Sequence, residues 1–194
     1  CLCGSARAVA GADPTARAMS LFAERLRALQ PPMTAPRRWI FVPYDQLTDA
    51  IGPLSEQLAN ASGIVLVETP AKAALRPYHR QKLAMILANQ RHFALEQAAR
   101  GVAVRYLVND VGYAAALSGF PHPMTMMEAA ERELRVELQP LIASGALRVV
   151  PHAGWLTSSA LFARVPGPPI SSWRMDAFYR LARSRPKSAR SELP

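Results

Sequence analysis

Two polar clusters stand where apolar runs end. Tyr44, Asp45 and Gln46 follow Trp39-Ile40-Phe41-Val42 and Pro43, and Glu68 and Thr69 follow Ile64-Val65-Leu66-Val67. Asp45, Gln46 and Glu68 carry the acceptors and the amide that could hydrogen-bond the edge of a heterocycle, provided that the two runs lie side by side. A plainer reading stays open on spacing alone: Asp45 caps the turn after the first run, and Glu68 is solvated.

Other chemistries lack their residues. There is no Gly-x-Gly pair for a dinucleotide fingerprint, none of the three Lys follows a Gly as a phosphate loop requires, and no Gly-x-Ser-x-Gly elbow occurs. His79, His92, His122 and His152 have no metal-ligand spacing, and Cys1 and Cys3 are too close together to staple distant segments. His79 and His92 read as helix-surface or packing residues. Glu131, Glu133 and Arg135 read as a solvated helix face, and Met124, Met126 and Met127 as core. No catalytic or metal-ligating set is expected.

The net charge of +9 invites a nucleic-acid reading, but it is placed at the two ends. Residues 1–38 carry six Arg against Asp13 and Glu24, and residues 171–194 carry five Arg and Lys187 against Asp176 and Glu192. The middle has no net field to draw phosphate. At 50% hydrophobic the chain has ample core-forming content, and no apolar run reaches the ~18 residues of a membrane span. It begins with Cys, and Cys1–Gly4 does not start a signal peptide, so a cytoplasmic, reducing setting is the default and the chain reads as a piece of something longer.

The elements that would position the two clusters alternate. Residues 17–29 space Met19, Phe22, Leu26 and Leu29 as an amphipathic helix, stopped by Pro31 and Pro32. Strands are expected at 39–42, 64–67, 103–108 and 147–150, with a candidate short strand at 124–127. The runs do not alternate apolar with polar, which marks strands buried on both faces. A short helical stretch is expected over 48–58, interrupted by Gly52-Pro53. The longest helix is expected over 78–100, between Pro77 and Gly101, and a second long one over 128–143. The Pro166–Pro169 linker precedes a short amphipathic helix over 173–182. The fold class is α/β: a Rossmann-like parallel sheet flanked by helices, followed by a linker and short helices. Residues 1–36 form an N-terminal extension with one helix, 37–152 the α/β domain, and 153–194 the linker and a truncated hinge region.

Several blocks resemble one family. Lys82-Leu83-Ala84-Met85-Ile86-Leu87, Arg91-His92-Phe93-Ala94, Arg100-Gly101 and Val104-Arg105-Tyr106 are similar to the long helix and following strand of cryptochrome/photolyase-related proteins, the iron–sulfur bacterial class. Asp45-Gln46-Leu47 resembles the family's Gly-Asp-Gln-Leu turn, and Val67-Glu68 the end of its second strand. Phe162 and Arg174-Met175-Asp176-Ala177-Phe178-Tyr179-Arg180 resemble its hinge segment, and Glu128 and Glu131 can be laid on its Glu-Pro-Gly-Glu run. The resemblance covers roughly residues 38–183.

The resemblance implies the amino-terminal, antenna-type domain of a (6-4) photolyase or cryptochrome, a light-driven DNA repair enzyme or blue-light sensor. In that family a C-terminal helical domain, expected to be absent here, binds FAD and an iron–sulfur cluster and receives the DNA lesion. DNA is then a partner of the full-length protein and weakly or not at all of this chain. The pigment implied for the amino-terminal domain is 6,7-dimethyl-8-ribityllumazine, held by Tyr44, Asp45, Gln46, Val67, Glu68, Lys72 and Leu75. Tyr44 stands where the family has Gly, Lys72 and Leu75 where some members have an acidic residue and a Tyr, and Gln90 at an apolar helix position. Tyr44 and Lys72 are expected to weaken lumazine binding. The alternative is a non-enzymatic α/β binding or interaction domain that has lost the pigment.

Overall fold

Five parallel strands form one sheet in the order β3-β2-β1-β4-β5 in the computed structural model. The structure describes residues 14–30, 38–55, 62–74, 78–155, 157, 162–163 and 175–184. Strand β1 spans Arg38–Phe41, β2 Ser62–Glu68, β3 Ala103–Val108, β4 Met124–Met127 and β5 Leu147–Val150. The helices are α1 (Pro14–Leu29), α2 (Ala71–Ala74), α3 (Arg80–Ala99), α4 (Tyr113–Ser118), α5 (Arg132–Glu137), α6 (Gln139–Ala143) and α7 (Met175–Arg183). The chain order reverses between β1 and β4, the topology of a doubly wound sheet.

Both faces of the central strands are apolar because both are covered. In β1, Trp39 and Phe41 join one cluster with Leu117, Leu134 and Leu138. Ile40 and Val42 point the other way, to Phe22 and Leu26 of α1 and Phe93 and Ala98 of α3. Strand β2 repeats this division: Val65 and Val67 face α4–α6, and Ile64 and Leu66 face α1 and α3. Helix α1, which the sequence places in an extension, thus contributes to the same core as the strands. Its following residue, Gln30, also meets the outer edge of β3: the amide donates to Val104 O and accepts from Val104 N–H at 3.1 Å. That pairing occupies part of an edge that would otherwise be open to another chain.

Several element boundaries differ from expectation for local reasons. The expected helix over 128–143 is two short helices, because residues 128–131 are not helical and the chain bends at Leu138. Pro140 supplies no N–H to bond back into the preceding turn. The long helix begins at Arg80, with His79 as its cap, its Nδ1 accepting from Gln81 N–H at 3.3 Å. Gly101 follows its end at φ +86°, a conformation that glycine adopts without strain. Helix α4 lies in what the sequence presents as a connection. Of the expected stretch 48–58, the described part holds one 3-10 turn, Gly52–Leu54, and residues 56–61 lie outside the described residues. So does the 166–169 linker. The final helix is seen as α7, with Phe178 packed edge-on against Phe162 at 5.1 Å.

Candidate functional site

The carboxyl ends of β1, β2 and β3 open into a cleft of about 380 Å³ roofed by the first half of α3. Helix α3 carries one apolar stripe with two destinations. Phe93, Ala94 and Ala98 are buried in its second half, packed on the sheet. Leu83, Ile86 and Leu87, one to three turns earlier, are only half-buried and line the cleft. Val67 lies at the strand-end side, and Tyr44 and Tyr113 line the cleft as well. A second cleft, of about 570 Å³, lies beside it against α5 and shares Thr69, Lys72, Tyr78 and Tyr113 with the first.

The strand alternation decides where Glu68 points. Residues 64, 66 and 68 share the face toward α1 and α3, and the β2–β3 register sets Leu66 opposite Tyr106. The Glu68 carboxylate therefore accepts from Arg91 Nε at 3.0 Å, from Arg91 Nη2 at 2.7 Å and from the Tyr106 hydroxyl at 2.6 Å. The bond to Glu68 holds the Arg91 guanidinium above its ordinary pKa. Burial, then the bond to Glu68, pushes the Tyr106 phenol far up. Arg91 also lies 2.8 Å from Met19 Sδ and over the Phe22 ring, which ties α1 to the group.

A second cluster separates the two clefts. The Tyr44 hydroxyl donates to Glu131 Oε2 at 3.2 Å, Lys72 pairs with the same carboxylate oxygen, and Lys72 Nζ lies 4.3 Å from the Tyr44 ring centre. Burial and then the nearby Asp45 charge push the Tyr44 phenol up to about 12, so it is a neutral donor at ordinary pH. Glu131, expected on a solvated face, instead joins the loops after β2 and β4. Tyr113 is buried, and its phenol is raised by that burial and by Glu137.

The sequence-selected residues divide accordingly. Tyr44, Val67, Glu68 and Lys72 come together at the smaller cleft. Asp45 is exposed and lies outside its lining. Gln46 is buried and turned away: its Nε2 donates to Glu128 O at 2.8 Å, bridging β1 and β4 where the chain order reverses. Leu75 lies outside the described residues. Met124, Met126 and Met127 are core, as expected. Arg91, Tyr106, Tyr113 and Glu131 were not selected as site residues, although the period-2 alternation of β2 and β3 signals the Glu68–Tyr106 meeting. Gln90 is 2% exposed and donates from Nε2 to Val67 O at 2.8 Å, at the inner end of the cleft. Among the described residues no group of three His, Cys, Asp or Glu is placed to hold a metal ion, and no helix is long and apolar enough to cross a membrane.

Fold and cleft together define a doubly wound α/β domain with a small-molecule-sized opening at its strand ends. A family model described as deoxyribodipyrimidine photo-lyase-related protein matches residues 40–187, and the chain belongs to that family. The chain is also similar to the (6-4) photolyase of Agrobacterium fabrum (strain C58 / ATCC 33970), at 29% identity over 115 residues. That match covers 54% of this chain and 23% of the relative, so the chain spans less than a quarter of that protein's length.

Proposed function

We propose that this chain is the antenna-type domain of a photolyase-related protein and that its strand-end cleft holds a flat heterocyclic pigment of the ribityllumazine class. The observation that carries the reading is the Leu83-Ile86-Leu87 stripe of α3. These residues turn inward, yet among the described residues they face an open cleft of about 380 Å³ rather than a packed neighbour. The volume falls within the ~300–1,000 Å³ of small-molecule sites, and the lining is mostly apolar with few polar groups, which suits a ring system. The residues present fit such a pigment. Leu83, Ile86 and Leu87 would cover one ring face, Tyr113 would offer a hydroxyl group, and Val67 would sit at the base.

When bound, the pigment would absorb blue light and pass the excitation to a flavin. The flavin, the iron–sulfur cluster and the contact with DNA belong, in this reading, to a helical domain of the full-length protein, which works in the cytoplasm in DNA repair or blue-light sensing. Glu68 supports the site from behind, because both of its oxygens are committed to Arg91 and Tyr106. Lys72 and Glu131 hold the loops at the mouth.

The test is a titration of the purified chain into 6,7-dimethyl-8-ribityllumazine, followed by fluorescence quenching. Micromolar binding that Leu87→Trp abolishes by filling the cleft is expected. No quenching would overturn the pigment reading and leave an interaction domain of this fold.

A further inference from the structure

We propose that Gln90 is the specificity-determining acceptor of the cleft, so that the cleft selects flat heterocycles presenting an in-plane ring N–H, as a lactam or cyclic imide does. This rests on the reading of the cleft as a ring-binding site and adds which rings it takes.

The argument starts from the strand ladder. Among the described residues, β1 reaches β2 no further than the bond from Val42 N–H to Val65 O at 3.0 Å. The Val67 carbonyl lies beyond that ladder and takes its donor from Gln90 Nε2 at 2.8 Å. Because the partner is a carbonyl, the amide has one orientation: nitrogen toward Val67, oxygen away from it. Among the described residues no buried side-chain polar atom lacks a partner, and the Gln90 amide makes its one hydrogen bond through Nε2. Its Oε1 is therefore not sealed in the core. The cleft that Gln90 helps to line is the space in which it would meet a ligand.

Of the other acceptors among the described lining residues, the carboxylates and the threonine hydroxyl are committed or exposed, and the Tyr44 hydroxyl is taken up by Glu131. Glu68 is held by Arg91 and Tyr106, Thr69 Oγ1 accepts from Ala71 N–H at 3.3 Å, and Asp110 is exposed. A ring without an N–H would strip water from Gln90 Oε1 and return nothing, a penalty that sites built on buried acceptors convert into discrimination. A ring with an in-plane N–H would satisfy it while lying along the Leu83-Ile86-Leu87 stripe.

The experiment compares 6,7-dimethyl-8-ribityllumazine with its derivative methylated on the imide nitrogen, by fluorescence quenching on the unaltered chain and on Gln90→Met. On the unaltered chain the methylated ring should bind about tenfold more weakly or worse. In Gln90→Met the parent should weaken to about the level of the methylated ring, and the two should become nearly equal. Equal affinity of both rings for the unaltered chain would overturn the role of Gln90 while leaving the pigment reading intact. Absence of binding by either would overturn both. The comparison on the unaltered chain needs no variant to fold.

Discussion

Glu68, the last residue of β2, and Arg91, in the middle of α3, meet in a two-point ion pair with N···O distances of 3.0 and 2.7 Å. The pair fixes α3 against the sheet at the level where the helix leaves the sheet and begins to roof the cleft. Removing the carboxylate in Glu68→Ala would leave a half-buried guanidinium and the Tyr106 hydroxyl without their acceptor. A loss of about 2–4 kcal/mol in urea unfolding is expected, with Glu68→Gln losing less. Unchanged stability in Glu68→Ala would show that the pair does not hold the helix.

Helix α1 contributes Phe22 and Leu26 to the core shared with Ile40, Ile64 and Phe93. Phe22→Ala should cost about 3 kcal/mol, as truncation of a buried aromatic does, and should expose α1 to limited proteolysis before the rest of the chain. A neutral effect would make α1 an appendage.

Asp49 ties the loop after β1 to the end of α3: it accepts from Gln97 Nε2 at 3.0 Å and pairs with Arg100. The Gln97 bond first, and then the Arg100 charge, lower its pKa below the ordinary 3.8, against the opposing effect of burial. A carboxylate depressed in the folded state adds stability above its unfolded pKa, and that stability is lost as pH falls through the folded value. Asp49→Asn should therefore melt at lower temperature than the unaltered chain at pH 7, with the gap closing below about pH 4. A gap that stays constant through the acid range would contradict this.

Lys72 and Glu131 join the loops at the mouth of the cleft while both remain partly exposed. Glu131→Gln should alter global stability by less than ~1 kcal/mol, as such pairs do. It should nevertheless speed amide hydrogen exchange in residues 69–74 and 128–132, which the pair holds together. Exchange rates equal to those of the unaltered chain would show that the loops are held by other contacts.

The strands were legible because each is short and bounded by Gly or Pro, and the central ones are apolar on both faces. The positions 39–42, 64–67, 103–108, 124–127 and 147–150 all fall in or beside the observed strands. Helix α4 was not legible: six residues rich in Ala give too little periodicity, and its helical state is fixed by Tyr113 and Leu117 packing on the sheet. The break at Leu138 could have been inferred from Pro140 alone. In the site, position along the chain located the strand ends but not the direction of each side chain. Gln46 looked available, but it fills the crevice between β1 and β4. Glu131 looked solvated until the loop after β2 brought Lys72 to it. The inward stripe of α3 was visible in the sequence as an apolar face, but nothing in its spacing told which half meets the sheet.

The most direct measurement is a crystal structure of the chain grown with 6,7-dimethyl-8-ribityllumazine. The account predicts ring density between Leu83, Ile86 and Leu87 of α3 and the ends of β2 and β3, with an imide nitrogen within hydrogen-bond distance of Gln90 Oε1. Density for the pigment elsewhere on the molecule, with this cleft holding only solvent, would contradict it.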